Sequence, residues 1–320
     1  YFTGSNLSEN KGKTMTIPAD STQSIIVSNN NLEIAILDKY SITSIGINRN
    51  TAEQNMSVCI DDFKYSSLLT YIGFVNTEVS GNIDSLKNCK GLTYVDLSKS
   101  SVCGDIASLK DINSLTSVSL AGTQISGDIS NLKKLTSLNT LSLYNTKVSG
   151  DISNLKNLTS LNTLLLDNTN VYGDIGSLAG CTSLNMIKAY NSATPLTGDI
   201  NAFQNISTLK EVSLKYSRLS GDLATLPASC KFVTFQNDSG SSFTWGTRTS
   251  SSKIVAIEGK ASLTNIDKML QDQAQCQVGF DSSDGVHYKT ISVAGKRTSA
   301  SDDAVATLQQ KGYTISIAKA

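Results

Sequence analysis

Leu115-Thr-Ser-Val-Ser-Leu-Ala-Gly-Thr-Gln-Ile-Ser-Gly-Asp-Ile129 is answered by Leu138-Asn-Thr-Leu-Ser-Leu-Tyr-Asn-Thr-Lys-Val-Ser-Gly-Asp-Ile152 and again by Leu161-Asn-Thr-Leu-Leu-Leu-Asp-Asn-Thr-Asn-Val-Tyr-Gly-Asp-Ile175. The three runs match column by column, and Gly127, Gly150 and Gly173 recur every 23 residues. A fixed period of this length marks a solenoid, in which no unit can bury its apolar face alone and stacked neighbours share one core.

Working outward, the strand signature continues as Ile42-x-x-Ile45-x-Ile47, Leu69-x-x-Ile72-x-Phe74 and Leu92-x-x-Val95-x-Leu97 on one side. On the other side come Leu184-x-x-Ile187-x-Ala189, Leu209-x-x-Val212-x-Leu214 and a degenerate Cys230-x-x-Val233-x-Phe235. A Thr or Ser follows each strand, at Thr77, Ser100, Thr123, Thr146, Thr169, Ser192 and Ser217, and then Gly with Asp or Asn. Only the step from Gly173 to Gly198 departs, with 25 residues, which places a rim loop around Pro195.

Each column has a physical reason. Alternating apolar residues point inward while those between them form an exposed parallel sheet. The Thr/Ser column sits where the chain leaves the strand, and its hydroxyl is expected to bond a backbone group of the adjacent coil. The Ile of Gly-Asp-Ile, then Leu109, Leu132, Leu155 and Leu178, then Ile112, Leu135, Leu158 and Cys181 close the core from the opposite side.

On these residues the chain resembles the leucine-rich-repeat proteins, whose unit is Leu-x-x-Leu-x-Leu-x-x-Asn-x-Leu. The run Ser149-Gly-Asp-Ile-Ser-Asn-Leu155 is similar to the Gly-x-Ile-Pro segment of plant-type extracellular repeats. It departs by carrying Ser or Ala in place of Pro, by being one residue shorter, and by a Thr/Ser ladder where Asn is usual. The resemblance covers residues 42–238 and implies an α/β solenoid: a right-handed leucine-rich-repeat superhelix with a parallel concave sheet. It further implies a protein or glycan ligand bound on that concave face, since the repeat is a scaffold for many recognition surfaces.

The ends lack the repeat. Residues 1–41 alternate in the manner of strands, at Met15 and Ile17, Ile25 and Val27, and Leu32, Ile34 and Ile36, and read as an N-terminal β cap. Residues 239–320 read as a C-terminal α/β capping region. Strands are expected at Lys253–Ile257, Thr290–Val293 and Thr314–Ile317, with helices from an N-cap at Ser262 to Gln275 and from Ser301 to Lys311. The start at Tyr1, with neither an initiator Met nor an apolar leader, suggests a mature or trimmed form.

Composition excludes whole classes. With 27 basic and 27 acidic residues there is no concentrated positive charge for nucleic acid. No window approaches the roughly 18 apolar residues of a membrane span. Cys89, Cys181 and Cys230 fill core columns and read as small buried hydrophobes, while Cys59 and Cys276 carry no such signal. The sole histidine, His287, leaves no two-His metal motif, Walker loop or Gly-x-Ser-x-Gly elbow. The sequence therefore points away from an enzyme, the alternative being a site around His287, and requires no cofactor.

Two columns invite a ligand. Asn82, Asp105, Asp128, Asp151, Asp174, Asp199 and Asp222 stack as N-caps for the turns that follow, with a calcium ladder as the sharper alternative and no metal assigned. Tyr144, Asp167 and Tyr190 share one exposed column, beside Asn145, Asn168, Asn191 and, one coil further, Tyr216. Tyr rings beside fixed amides and a carboxylate are the makeup of a recognition surface. The expected role is a non-enzymatic binding or adhesion module at a cell surface or on a virion, such as a phage-tail component. The alternative is a scaffold within a larger assembly, contacting partners through its caps.

Overall fold

The structure, a computed structural model, describes residues 23–27, 42–47, 58–190, 195–235, 241–248, 256–276 and 289–318. It divides into two compact units, residues 1–150 and 151–320. Their border lies within the repeat array, away from the limits at 41 and 238 that loss of the repeat suggests.

In the first unit the strands Gln23–Val27, Ile42–Ile47, Tyr71–Phe74, Tyr94–Asp96, Ser117–Ser119 and Thr140–Ser142 pair in parallel, each with the next. The inward positions Ile45, Ile72, Val95, Val118 and Leu141 are fully buried, as the alternation requires. In the second unit Thr163–Leu165, Met186–Tyr190, Glu211–Lys215, Phe232–Thr234, Ala256–Leu263, Thr290–Ala294 and Thr314–Ala318 form the same kind of ladder.

The Gly-Asp segments form a second set of short strands that the apolar pattern of the main strands does not announce. Ser80–Asn82, Ser101–Asp105, Gln124–Asp128 and Lys147–Asp151 pair in parallel in the first unit. Asn170–Asp174, Leu196–Asp199, Arg218–Asp222 and Ser242–Thr244 do so in the second. The signal was present in the alternation of Val148 and Gly150 with outward Lys147 and Ser149, but three to five residues are too few to separate a strand from a turn by period alone.

The Asp column is built as expected. Asp105, Asp128, Asp151, Asp174 and Asp199 each accept the backbone N–H two residues on, at 2.7–2.8 Å, opening the 3-10 turn that follows. The Thr/Ser column is not. Ser100, Thr123 and Thr146 donate to the carbonyls of Leu97, Leu120 and Leu143, three residues back in their own coil, at 2.6, 2.5 and 2.6 Å. The hydroxyl thus closes the turn leaving the strand, while another set does link coils. Thr93 and Thr116 hydroxyls donate to the carbonyls of Thr70 and Thr93 in the coil before, both at 3.0 Å.

The C-terminal region alternates strand and helix, with the start of the first helix corrected and the Ser301 to Lys311 limits of the second found as expected. Ser262 is an exposed strand residue, and the helix Ile266–Gln275 begins after Asn265, whose φ is 61° and whose amide donates to Trp245 O at 3.2 Å. The second helix, Asp302–Gln310, follows a 3-10 turn at Ser299–Ser301. Met15, Ile17, Leu32, Ile34, Ile36, Lys253 and His287 lie outside the described residues. All six cysteines are unbridged. Cys89, Cys181 and Cys230 are buried in the core columns, and burial pushes each thiol up to about 11. Cys276 is buried as well, Cys59 is half-buried and Cys103 is exposed.

Candidate functional site

The residues between the inward positions of the main strands face outward in columns. In the second unit Met186, Glu211 and Phe232 share one column, Lys188, Ser213 and Thr234 the next, and Tyr190 and Lys215 a third. Asp167 enters the third column because Leu166 and Asn168 donate their N–H groups to Lys188 O and Tyr190 O, each at 2.8 Å.

Of the sequence-predicted residues, the structure brings Asp167, Tyr190 and Tyr216 into one cluster. The Tyr190 and Tyr216 rings meet edge to face with centroids 4.8 Å apart, a favoured aromatic geometry. Tyr144 and Asn145 belong to the first unit, and Asn191 lies outside the described residues. The Asn column has a second reason to exist. Asn76, Asn145 and Asn168 have φ of 55°, 56° and 52°, with Gly122 at 69°, so this position is a left-handed turn. Asn and Gly tolerate that conformation best. Tyr216 holds the same turn at φ 56°, where its bulk is unfavourable.

Charge was the part the sequence reading missed. Lys188 Nζ pairs with Glu211 Oε1 at 2.7 Å, and Glu211 is only 7% exposed. Asp167 is half-buried, and among the described residues its carboxylate bonds only its own backbone amide. Burial raises its carboxyl above the ordinary value, and the nearby Lys188 and Lys215 ammoniums offset this only in part. Lys188, Glu211 and Lys215 stand at outward strand positions, so the pattern that named Tyr190 could have named them.

The first unit carries a different outward cluster. Tyr71 and Tyr94, in register on adjacent strands, stack with centroids 4.6 Å apart and planes 7° apart. The Tyr71 ring lies over Gly73 and against Gly46, where a Cβ would come 3.0 Å from its Cε1 in either case. Tyr94 donates to Asp96 Oδ2 at 3.3 Å, and burial, with Asp96 beside it, pushes the phenol up to about 12.

Among the described residues no group of three or more His, Cys, Asp or Glu side chains is arranged to hold a metal. No helix in them is long and apolar enough to cross a membrane.

The fold is that of a leucine-rich-repeat solenoid. The leucine-rich-repeat ectodomain of the plant receptor kinase GASSHO1/SCHENGEN3 from Arabidopsis thaliana, solved in complex with CASPARIAN STRIP INTEGRITY FACTOR 2, matches 97% of the chain with TM-score 0.62 and 17% identity. The Arabidopsis receptor kinase HAESA, solved with the peptide hormone IDA and the co-receptor SERK1, matches 78% with TM-score 0.54 and 23% identity. The matched parts span 37% and 43% of those chains. At such identities the likeness is one of leucine-rich-repeat fold alone. A scan of protein-family profiles and a search of curated proteins gave no match.

Proposed function

We propose that the chain is a non-enzymatic recognition module that binds a protein ligand on the outward, concave face of its strand ladder, centred on Asp167, Asn168, Tyr190 and Tyr216 of the second unit. The observation that carries this reading is the second unit's cluster of a half-buried carboxylate outside any ion pair, a partly buried Lys188–Glu211 pair and an edge-to-face Tyr pair on one sheet face. A scaffold with no partner gains nothing from desolvating charge there, since a buried ion pair rarely stabilises more than apolar residues would. Leucine-rich-repeat ectodomains solved with bound peptide and protein ligands agree with it.

The Ser-, Thr-, Asn- and Gly-rich surface supports an extracellular or cell-surface setting. Of the six free thiols, Cys89, Cys181 and Cys230 are buried and held protonated, while Cys103 is exposed.

The test is affinity capture with the parent and with Tyr190→Ala, followed by dose-response binding of the captured protein to both. Loss of the aromatic anchor is expected to weaken binding by ~2 kcal/mol. Equal binding by the two removes the concave face from consideration. Capture only on a glycan array would make the ligand a glycan.

A further inference from the structure

Asp167, Tyr190 and Lys215 follow one another along a single outward column, on three successive strands. Neighbouring strands lie about 4.8 Å apart, so the carboxylate and the ammonium stand about 10 Å apart with a ring between them. Neither end is closed by an ion pair, and the charges of Lys188 and Lys215 compensate Asp167 only in part. Among the described residues Lys215 makes no ion pair, and Asp167 has no partner besides its own amide. The other cation nearby, Lys188, is already committed to Glu211 at 2.7 Å. The column is thus a fixed dipole, negative at the Asp167 end and positive at the Lys215 end, with an aromatic centre formed by Tyr190 and its edge-on neighbour Tyr216.

The geometry points to a polar recognition rule for this face, resting on the reading above: the ligand is an extended peptide segment that crosses the strands with a basic side chain at Asp167, an apolar one at Tyr190 and an acidic one at Lys215. An extended chain advances about 3.3 Å per residue with alternate side chains on one face, so the two charges belong roughly two to four residues apart. The partial desolvation of Asp167 favours an incoming cation, because a charge pair gains more where water is already reduced. Lys215 at the other end fixes direction, since a reversed peptide would meet like charges at both ends. The aliphatic stem of the ligand's basic residue would lie along the Tyr190 ring, as such stems do on apolar surface.

The test is selection from a displayed library of random linear peptides, run in parallel on the parent chain, on Tyr190→Ala and on the charge-swapped Asp167→Lys/Lys215→Asp variant, each first checked for an unchanged melting curve. The parent is expected to enrich peptides with a basic residue, an apolar residue and an acidic residue in one fixed order, and the swapped variant to enrich the reverse order. Peptides selected on the parent should bind the swapped variant at least about tenfold more weakly and lose affinity at high salt. If the swap melts early, Asp167→Asn and Lys215→Gln, each tested alone, must each weaken the selected peptides. Peptides that depend on Tyr190 but show no charge order, or the same order on both forms, overturn the polar rule and leave the binding face standing. Peptides indifferent to Tyr190, Asp167 and Lys215 alike overturn both.

Discussion

The carboxylate of Asp128 fills the space that a side chain on Gly150, one coil later, would need. Gly150 has φ +108°, and a Cβ on it would lie 2.5 Å from Asp128 Oδ1. The same Asp128 oxygen accepts the Ser130 N–H at 2.7 Å, so it cannot move aside without uncapping its turn. The Gly-Asp pair is therefore one interlocking device spanning two coils. Its Gly answers to the backbone and to the neighbour's Asp at once.

This interlock predicts a coupling. Gly150→Ala is expected to cost about 1–3 kcal/mol for the forbidden backbone region, plus the displacement of Asp128. Asp128→Ala alone should cost ~1 kcal/mol through the lost cap. The double variant should cost less than the two together, because the collision is gone while the strain remains. Urea unfolding of the four proteins measures this, and strict additivity would sink the interlock.

Thr146 tests the turn that closes each strand. Its buried hydroxyl donates to Leu143 O at 2.6 Å, and Thr146→Val keeps the shape while leaving that carbonyl short of a partner. A loss of about 1–3 kcal/mol is expected. Thr116→Val, at an exposed hydroxyl bonded across coils, should cost less, since water can replace the bond. If the two losses prove equal, burial is not what gives the Thr/Ser column its weight.

How far the sequence carries is visible in these same residues. The main strands and the caps were legible because Leu138, Leu141 and Leu143 repeat with period and because Asp followed by a turn has a local mechanism. The partner of the Thr hydroxyl was not, because a group three residues back and a group one coil away are equally near in a stack. At the candidate site, Tyr190 stood out by chemistry alone. Lys188 and Glu211 did not, since charged residues at outward positions ordinarily mark only solvated surface, and their pairing at 2.7 Å depends on register across the lengthened, 25-residue coil. Asn168 was legible as an exposed amide but not as a left-handed turn, which is a property of the backbone path.

Asp167 makes stability depend on pH in an unusual direction for a carboxylate. Its folded pKa is raised from 3.8, chiefly by burial, so in the window above that ordinary value the folded state holds the proton more tightly than the unfolded one. Stability contributed by the protonated form is full below 3.8 and is lost as pH rises through the folded pKa. Asp167→Asn should therefore melt above the parent at pH 7, and the gap should close as the medium is acidified through that window. A gap that persists at pH ~3 would show that charge is not its cause.

Repeat physics predicts which deletions the first unit tolerates. Removing Leu115–Ser137, one whole period, joins equivalent surfaces and should leave a folded protein, because stability in solenoids is approximately nearest-neighbour. Removing Leu115–Ile125 instead puts inward residues on the outward face and should unfold the coils around it. Circular-dichroism melts compare the two, and similar melts would contradict the coil boundaries.

Tyr216 offers the sharpest separation of fold from function. It sits in the left-handed turn at φ 56°, a position that Asn76, Asn145 and Asn168 occupy in other coils. A bulky residue there costs about 1–2 kcal/mol relative to one that accepts the conformation. Its ring contact with Tyr190 returns only part of that, about 0.5–1.5 kcal/mol. Tyr216→Asn should consequently leave the melting temperature unchanged or raise it. If the ring is retained for recognition, the same substitution should weaken ligand binding by ~2 kcal/mol, so that stability and affinity move apart. Lys99 holds the same turn at φ 55°, so the strain is not peculiar to Tyr216, and what sets Tyr216 apart is its ring contact with Tyr190. A variant that both melts lower and binds normally would show the opposite, that Tyr216 serves packing and the recognition surface ends at Tyr190.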